Sequence, residues 1–371
     1  MSVFIRSKQR GLSLIELLVS LLITGIIMAG VINSLLATKK AYVFDEQIAY
    51  IQENARFALD IIARDLRGAG YMGGCDINKA NVAWALDPQT GSQGQFIDSL
   101  QPLRGFEGGV NAFPSAYATS ALSTAADSLI IRRADSNSEL TITADHSSNS
   151  SSFLTTDASS ISPGDILLLA SSTCDQVGIF AATAVTATQI DHNSGAGGSS
   201  SNCSNQLGDD FSCVGGNPTN ASPSVHVYRE GSAFFKIITR AYYIGASSFD
   251  ATMPSLHVSG ISSTGTISSE ELVSGVEDLQ ISYGVDTEPT QRDGLANVYL
   301  TADSITLDTA NAGSNWRGWD RVVSVRLDLR MRSREPVLLQ NDPTFGDKYM
   351  RQNVSSTVRL RNAVLPSNEG P

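Results

Sequence analysis

The fold is decided near the start of the chain by Arg6-Ser-Lys-Gln-Arg-Gly-Leu-Ser-Leu-Ile-Glu16, which leads into an almost unbroken apolar run over residues 17–37. As a helix this run is roughly 31 Å long at about 1.5 Å per residue, which matches the hydrocarbon thickness of a bilayer. Three cations precede it, at Arg6, Lys8 and Arg10. The positive-inside rule therefore predicts a single-pass anchor with a cytoplasmic N-terminus and the rest of the chain outside the cytoplasm.

Glu16 distinguishes this stretch from a plain anchor. A charge near the bilayer centre costs on the order of 2.5 to 3.5 kcal/mol on insertion scales, so this carboxylate needs a partner. A cut between Gly11 and Leu12 would create an α-amino group four residues before Glu16, and the two charges could pair within or between subunits. An ordinary secretory signal has a shorter apolar core and a small-residue cleavage site. Here the helical pattern continues beyond the apolar run.

The segment from Gly11 to Leu18 resembles the N-terminal signal of type IV pilins and type II secretion pseudopilins. In that family a prepilin peptidase cuts after the glycine and N-methylates the next residue, and the glutamate pairs with the N-terminus of a neighbouring subunit. The resemblance implies that Gly11 ends the leader, that Leu12 is both the new N-terminus and the methylation site, and that Glu16 is the assembly residue.

Two features depart from the family pattern. The first mature residue is usually phenylalanine, whereas here it is Leu12. Major pilins often have a helix-disrupting proline in the apolar segment, and here only Gly25 and Gly30 could serve. The second departure argues against a filament-like unwinding of this helix.

Residues 39–67 keep a helical period after the apolar run. Apolar side chains recur every three to five residues, and most charged side chains lie elsewhere on the wheel. Together with the apolar run this predicts one helix from about Leu12 to Arg67, ended by Gly68-Ala-Gly70. We expect the amphipathic half to cover the core of a domain.

The end of this helix, Asn54-Ala-Arg-Phe-Ala-Leu-Asp-Ile-Ile-Ala-Arg-Asp-Leu-Arg-Gly-Ala-Gly-Tyr-Met-Gly-Gly-Cys75, resembles PilW-type minor pilins. Residues 164–169, 272–286 and 322–330 resemble strands of the same family. The resemblance implies a minor pilin that primes filaments or sits at their tip, and that supports pilus biogenesis, twitching motility and adhesion. Its partners would be other minor pilins, the major pilin, the prepilin peptidase, the inner-membrane assembly platform and a tip adhesin.

After Cys75 the pattern becomes strand-like. Short runs rich in β-branched or aromatic residues are separated by Gly, Pro, Ser, Asp and Asn. These runs are Ser128 to Arg133, Leu140 to Ala144, Asp165 to Ala170, Ile179 to Thr188, Val225 to Tyr228, Phe234 to Ile244, Leu279 to Val285 and Val322 to Met331. In the last run the apolar residues occupy alternate positions, which is typical of an antiparallel strand with one buried face.

The predicted fold is α+β, with a long N-terminal helix packed on an antiparallel β-sheet domain with long loops. The transmembrane half of the helix is expected over 12–37 and its amphipathic half over 38–68, after a leader over 1–11 and before a β-rich domain over 69–371. Residues 145–160 and 191–224 are dominated by small polar residues, which predicts loops rather than core.

Four cysteines, Cys75, Cys174, Cys203 and Cys213, form an even set in a domain expected in an oxidising compartment. Three connectivities are possible. We favour Cys203 with Cys213, which closes a short loop, and Cys75 with Cys174, which ties the helix end to the β-domain. Zinc is the competing interpretation, but there is no C-x-x-C pair and the four histidines are dispersed.

Other ligands and reactions find little support in the sequence. A formal net charge of −11 argues against nucleic acid as a partner, because phosphate binding needs clustered Lys and Arg. The segment from Asp286 to Asp293 has oxygen donors and a following glycine, but without the calcium-loop spacing a solvated hairpin is favoured over a metal site. Trp316 and Trp319 could face a partner, although packing on the domain edge is more common.

No nucleophile elbow, phosphate-binding loop, dinucleotide fingerprint or H-E-x-x-H motif occurs, so neither an enzyme nor a cofactor is expected. Two alternatives to a minor pilin of a type IV pilus stay open. One is a minor pseudopilin of a type II secretion system, which shares the N-terminal motif. The other is a membrane-anchored periplasmic binding module or enzyme.

Overall fold

The computed structural model describes residues 13–75, 80–86, 102–110, 113–118, 121–195, 202–214, 216–261, 267–287, 293–305 and 318–362. Helix α1 spans Leu14–Gly68, and short 3-10 turns lie at Ser115–Tyr117, Ser136–Ser138, Ala302–Ser304 and Gly318–Arg321. The strands are β1 Asn81–Trp84, β2 Leu103–Phe106, β3 Ser128–Ala134, β4 Leu140–Thr141, β5 His146–Ser147, β6 Ser152–Leu154, β7 Ile166–Ala170, β8 Gln176–Ala181, β9 Ala184–Val185, β10 Gln189–Asp191, β11 Cys213–Val214, β12 Asn217–Pro218, β13 Val227–Tyr228, β14 Ala233–Ala246, β15 Pro254–Ile261, β16 Ile267–Ser274, β17 Val276–Val285, β18 Val298–Leu300, β19 Val322–Pro336 and β20 Tyr349–Arg359.

Helix α1 runs for 55 residues without a break. It passes through Gly25 and Gly30 as regular helix, as the absence of a proline predicted. It ends where Gly70 adopts a φ of +75°, a left-handed conformation that glycine takes without strain. The amide of Gly70 then donates to the carbonyl of Arg132 at 3.1 Å, which joins the residues after the helix to strand β3.

The described residues divide into two compact units. The first contains the described part of Met1–Gln52 together with Ser333–Met350, and the second contains the described part of Glu53–Arg332 and of Arg351–Pro371. In the first unit the buried side chain of Gln47 accepts hydrogen bonds from the amides of Arg334 at 2.8 Å and Glu335 at 3.2 Å. These bonds hold the 333–350 segment against the helix.

In the second unit, nine of the described strands form one sheet around β14. The first part of β14 pairs antiparallel with β4 and β7, and its later part pairs antiparallel with β3 and β15. The remaining pairs are antiparallel too, except that β1 lies parallel to β8. Strand β14 pairs with neighbouring strands of the sheet along its whole length. Large apolar side chains on it, such as Phe234, Phe235, Tyr242 and Tyr243, are buried.

A separate sheet has the strand order β18-β17-β19-β20. Strand β17 pairs antiparallel with β18 and β19, and the register shifts near Val276 and near Val285. The alternation predicted for this region is present, because Val325, Leu327 and Leu329 are buried while Arg326 is exposed. The observed architecture is therefore α+β, as predicted.

Two segments predicted as loops contribute to the core instead. Phe153, in the serine-rich 145–160 segment, lies in β6 and is fully buried, and Leu207 and Phe211 are buried within 191–224. All three join a cluster that includes Phe180 and Phe234. The prediction of loops without core residues was wrong because it counted the small polar majority, whereas a single aromatic side chain in such a segment is enough to anchor it.

Candidate functional site

Ser13 and Glu16 form a reciprocal hydrogen-bonded pair at the first turn of α1. The Ser13 amide donates to Glu16 Oε2 at 3.1 Å, and the Glu16 amide donates to Ser13 Oγ at 3.3 Å. This capping box satisfies two amides that the helix leaves without an intrahelical acceptor. We did not predict it, although the S-x-x-E spacing ahead of an apolar run was a sufficient signal.

The capping box leaves Glu16 able to take a second partner. Only Oε2 is engaged, the side chain is exposed, and Oε1 has no partner among the described residues. A negative charge is favoured at the N-terminus of a helix, where the unpaired amides point toward it. Gly11 and Leu12, the predicted cleavage and methylation sites, lie outside the described residues.

Beyond Glu16 the apolar part of α1 is bare. The helix is long and apolar enough to cross a membrane, and its most apolar stretch is not buried by the protein. Leu14 is 78% exposed and Leu22 is 64% exposed, so this surface needs lipid or other apolar helices around it. The hydroxyls of Ser20, Thr24 and Thr38 donate to carbonyls within the helix, which lowers the cost of placing these three side chains in lipid.

The last turns of α1 lie in the second unit and are fixed there by polar contacts as well as by burial. Ala58, Ile62 and Leu66 are fully buried. Asn54 Nδ2 donates to the carbonyl of Ser274 at 3.3 Å. This end of the helix therefore belongs to the β-domain's core.

The structure pairs Cys75 with Cys174 and Cys203 with Cys213, which is the pairing favoured from the sequence. Cys174 has a positive φ of 58° in the turn between β7 and β8, and Cys75 follows the end of α1. The first disulfide therefore ties the segment after the helix to the nine-stranded sheet. The second brings Cys213, which is buried, next to residue 203 in the 191–224 segment.

The predicted hairpin between Asp286 and Asp293 is partly buried. Strands β17 and β18 flank it, and Asp286 is 1% exposed and accepts a hydrogen bond from the Gly294 amide at 3.1 Å. The expectation of a fully solvated hairpin was therefore wrong at this end, because Asp286 closes the turn. Within the described ranges, no group of three His, Cys, Asp or Glu side chains could hold a metal ion.

Trp319 packs edge-on against Tyr283, with ring centroids 4.9 Å apart, whereas Trp316 lies outside the described residues.

His192 is fully buried between Phe153 and Phe180, and burial lowers its pKa to about 4. Burial also raises the pKa of Asp127, although the amides of Gly108 and Ile281 donate to this carboxylate. These perturbed groups occupy core positions.

Two family models match the chain. Residues 6–32 match the prokaryotic N-terminal methylation motif, and residues 241–362 match the type IV pilus-assembly protein W family, PilW. No curated protein and no solved structure matches it.

A methylation motif that opens into a bare apolar helix, followed by a disulfide-bonded β-domain, defines a pilin-type subunit. The PilW match covers strands of the nine-stranded and the four-stranded sheet, from within β14 to just beyond β20. Together the two matches support a PilW-type pilin of a type IV pilus.

Proposed function

We propose that the chain is a minor pilin that helps to initiate pilus assembly, sits at the filament tip, or does both. Before assembly, α1 is held in the inner membrane with its N-terminus in the cytoplasm and the β-domain facing the periplasm. The chain acts by assembling with other subunits and does not convert a substrate. Its partners are other minor pilins and the major pilin, together with the assembly platform and a tip adhesin, and the filament supports twitching motility and adhesion.

The observation that carries this proposal is the state of Glu16. The carboxylate is held at the helix start by the Ser13 amide, yet it keeps one oxygen available. Cleavage after Gly11 would place the new α-amino group of Leu12 beside this turn, and the N-terminus of a neighbouring subunit could reach the same oxygen. Either ion pair neutralises a charge that is costly in lipid.

The exposed apolar face of α1 supplies the surface along which pilin helices can pack. In lipid, its large side chains contact acyl chains, and helix association then depends on packing and on pairing of polar groups. We therefore expect two events to be coupled: α1 moves from lipid into a bundle of pilin helices, and Glu16 gains its partner.

The test is intact mass and N-terminal analysis of the membrane-extracted chain, made with and without the prepilin peptidase. We expect loss of residues 1–11 and a methylated Leu12 only when the peptidase is present. An intact Met1, or a cut beyond Ala37, would contradict the proposal. Deletion of the gene should then abolish pili and twitching, whereas a block in protein secretion with normal pili would indicate a type II secretion pseudopilin.

A further inference from the structure

A cavity of about 460 Å³ in the second unit is lined by three arginines. Arg67 comes from the last turn of α1, Arg359 is the last residue of β20, and Arg361 follows two positions later. Arg67 lies far from the other two in the sequence, so no sequence motif groups the three residues.

Burial alternates over the end of β20 and the two residues that follow it, which places two of these arginines on the same side. Val358 and Leu360 are buried, at 3% and 8% exposure, while Thr357, Arg359 and Arg361 are exposed. The cavity wall therefore exposes Thr357, Arg359 and Arg361 at alternate positions, with Arg359 ending β20 and Arg361 in the turn that follows it.

Two hydrogen bonds fix this strand end, one from a backbone amide to β19 and one from a side chain to the residue after the helix. The amide of Leu360 donates to the carbonyl of Val323 at 2.9 Å, and Asn362 Nδ2 donates to the carbonyl of Ala69 at 3.2 Å. These hydrogen bonds fix the backbone segments that carry the three arginines.

The cavity is electrostatically unusual for this chain. The sequence has 37 acidic and 26 basic residues, yet no carboxylate lines the cavity within the described residues. None of the three guanidinium groups forms an ion pair with any residue that the structure describes. Arg330 and Arg351, by contrast, both bind Glu277. The helix dipole could explain Arg67 alone, but it does not account for Arg359 and Arg361.

The lining selects the class of ligand. Guanidinium groups bind carboxylates and phosphates through paired, charge-assisted hydrogen bonds. Two exposed cations at alternate positions match a peptide segment with carboxylates at alternate positions. A cavity of this size also holds several residues' side chains rather than one small ion.

We propose that this cavity is a docking site for an extended acidic segment of a partner pilin, with acidic side chains at alternate positions. Arg359 and Arg361 bind successive carboxylates, and Arg67 adds a third cation at the helix end. The inference rests on the proposed function for the identity of the partner, whereas the binding chemistry can be tested on the isolated chain.

The experiment measures binding of a fluorescent peptide of alternating serine and glutamate to the full-length chain in detergent. Fluorescence anisotropy should show saturable binding that weakens as salt is raised. Arg359→Gln and Arg361→Gln should each weaken it by about tenfold or more. Arg326→Gln is the matched control, because Arg326 is an exposed arginine on β19 that pairs with Asp328 away from the cavity, and it should leave binding unchanged.

Other outcomes would overturn the proposal. Equal binding of the serine-glutamine peptide, equal loss in the Arg326 control, or no binding to the wild-type chain would each do so. Stronger binding of inorganic pyrophosphate, measured by competition, would assign the cavity to a phosphate ligand instead. A chain that binds the peptide but is not processed by the peptidase would refute the proposed function and leave the acidic-segment site standing.

Discussion

The hydroxyl of Tyr242 donates a 2.6 Å hydrogen bond to the carboxylate of Asp65, which joins the end of α1 to the central strand β14. Tyr242 is 1% exposed, and burial together with the negative charge of Asp65 raises its pKa, so the phenol stays a neutral donor. Arg133 on β3 approaches the other carboxylate oxygen to 3.8 Å. One helix residue is thus held by two neighbouring strands.

Removing this hydroxyl should loosen the helix end. We expect Tyr242→Phe to lower the free energy of unfolding by about 1.5 to 3 kcal/mol, since a hydrogen bond to a charged group is lost and Asp65 is poorly hydrated. Denaturant unfolding of the detergent-solubilised chain measures this. Arg56→Ala is a control, because its pair with Asp60 is exposed and should change stability by less than about 1 kcal/mol. Equal effects from the two variants would contradict the role given to Tyr242.

The two disulfides should contribute unequally. Their sequence separations are 99 for Cys75–Cys174 and 10 for Cys203–Cys213. The chain-entropy model gives about 4.7 and about 2.7 kcal/mol respectively. Replacing each pair by serines and comparing free energies of unfolding should show a difference of about 2 kcal/mol. A larger loss from the shorter loop would mean that contacts near Cys213 outweigh chain entropy.

His192 should make stability depend on pH. Its pKa is lowered to about 4 by burial, from about 6.5 in an unfolded chain, so the unfolded state binds more protons between these values. Stability from this residue is therefore present above pH 6.5 and is lost as pH falls toward 4. We expect wild type to lose about 2 kcal/mol more than His192→Phe between pH 7 and pH 5, measured by denaturant unfolding. Parallel pH profiles would contradict this assignment.

The elements predicted from sequence were those whose pattern is local. Helix α1 was predicted from about Leu12 to Arg67 and spans Leu14–Gly68, because a continuous apolar stripe and a terminal glycine define both ends. Strand β19 was predicted from the alternation that begins at Val322, although it extends five residues beyond Met331 to Pro336. The charged tail of that extension, Arg334 and Glu335, carries no apolar alternation.

Elements that depend on distant partners were missed. Strand β20 is mostly polar, with burial at Val358 supplied by residues far away in the sequence, so no local apolar run marked it. The capping role of Ser13 could have been predicted from its spacing to Glu16, but only the charge of Glu16 was considered. The cavity arginines could not have been grouped, because their proximity depends on how β20 meets the helix end.

The last prediction separates two roles of Glu16. Glutamine at this position keeps an oxygen that can accept from the Ser13 amide, so Glu16→Gln should preserve the capping box and remove only the charge. Glu16→Ala removes both, and Ser13→Ala removes the hydroxyl acceptor while keeping the charge. If charge pairing drives assembly, Glu16→Gln should fail to enter filaments as completely as Glu16→Ala, while both remain in the membrane. Ser13→Ala should still assemble, with about 1 kcal/mol lost from helix capping. Immunoblotting of sheared filaments and of membrane fractions measures both quantities. Normal incorporation of Glu16→Gln, with failure of Glu16→Ala and Ser13→Ala, would show that the residue acts through the helix cap and not through an ion pair.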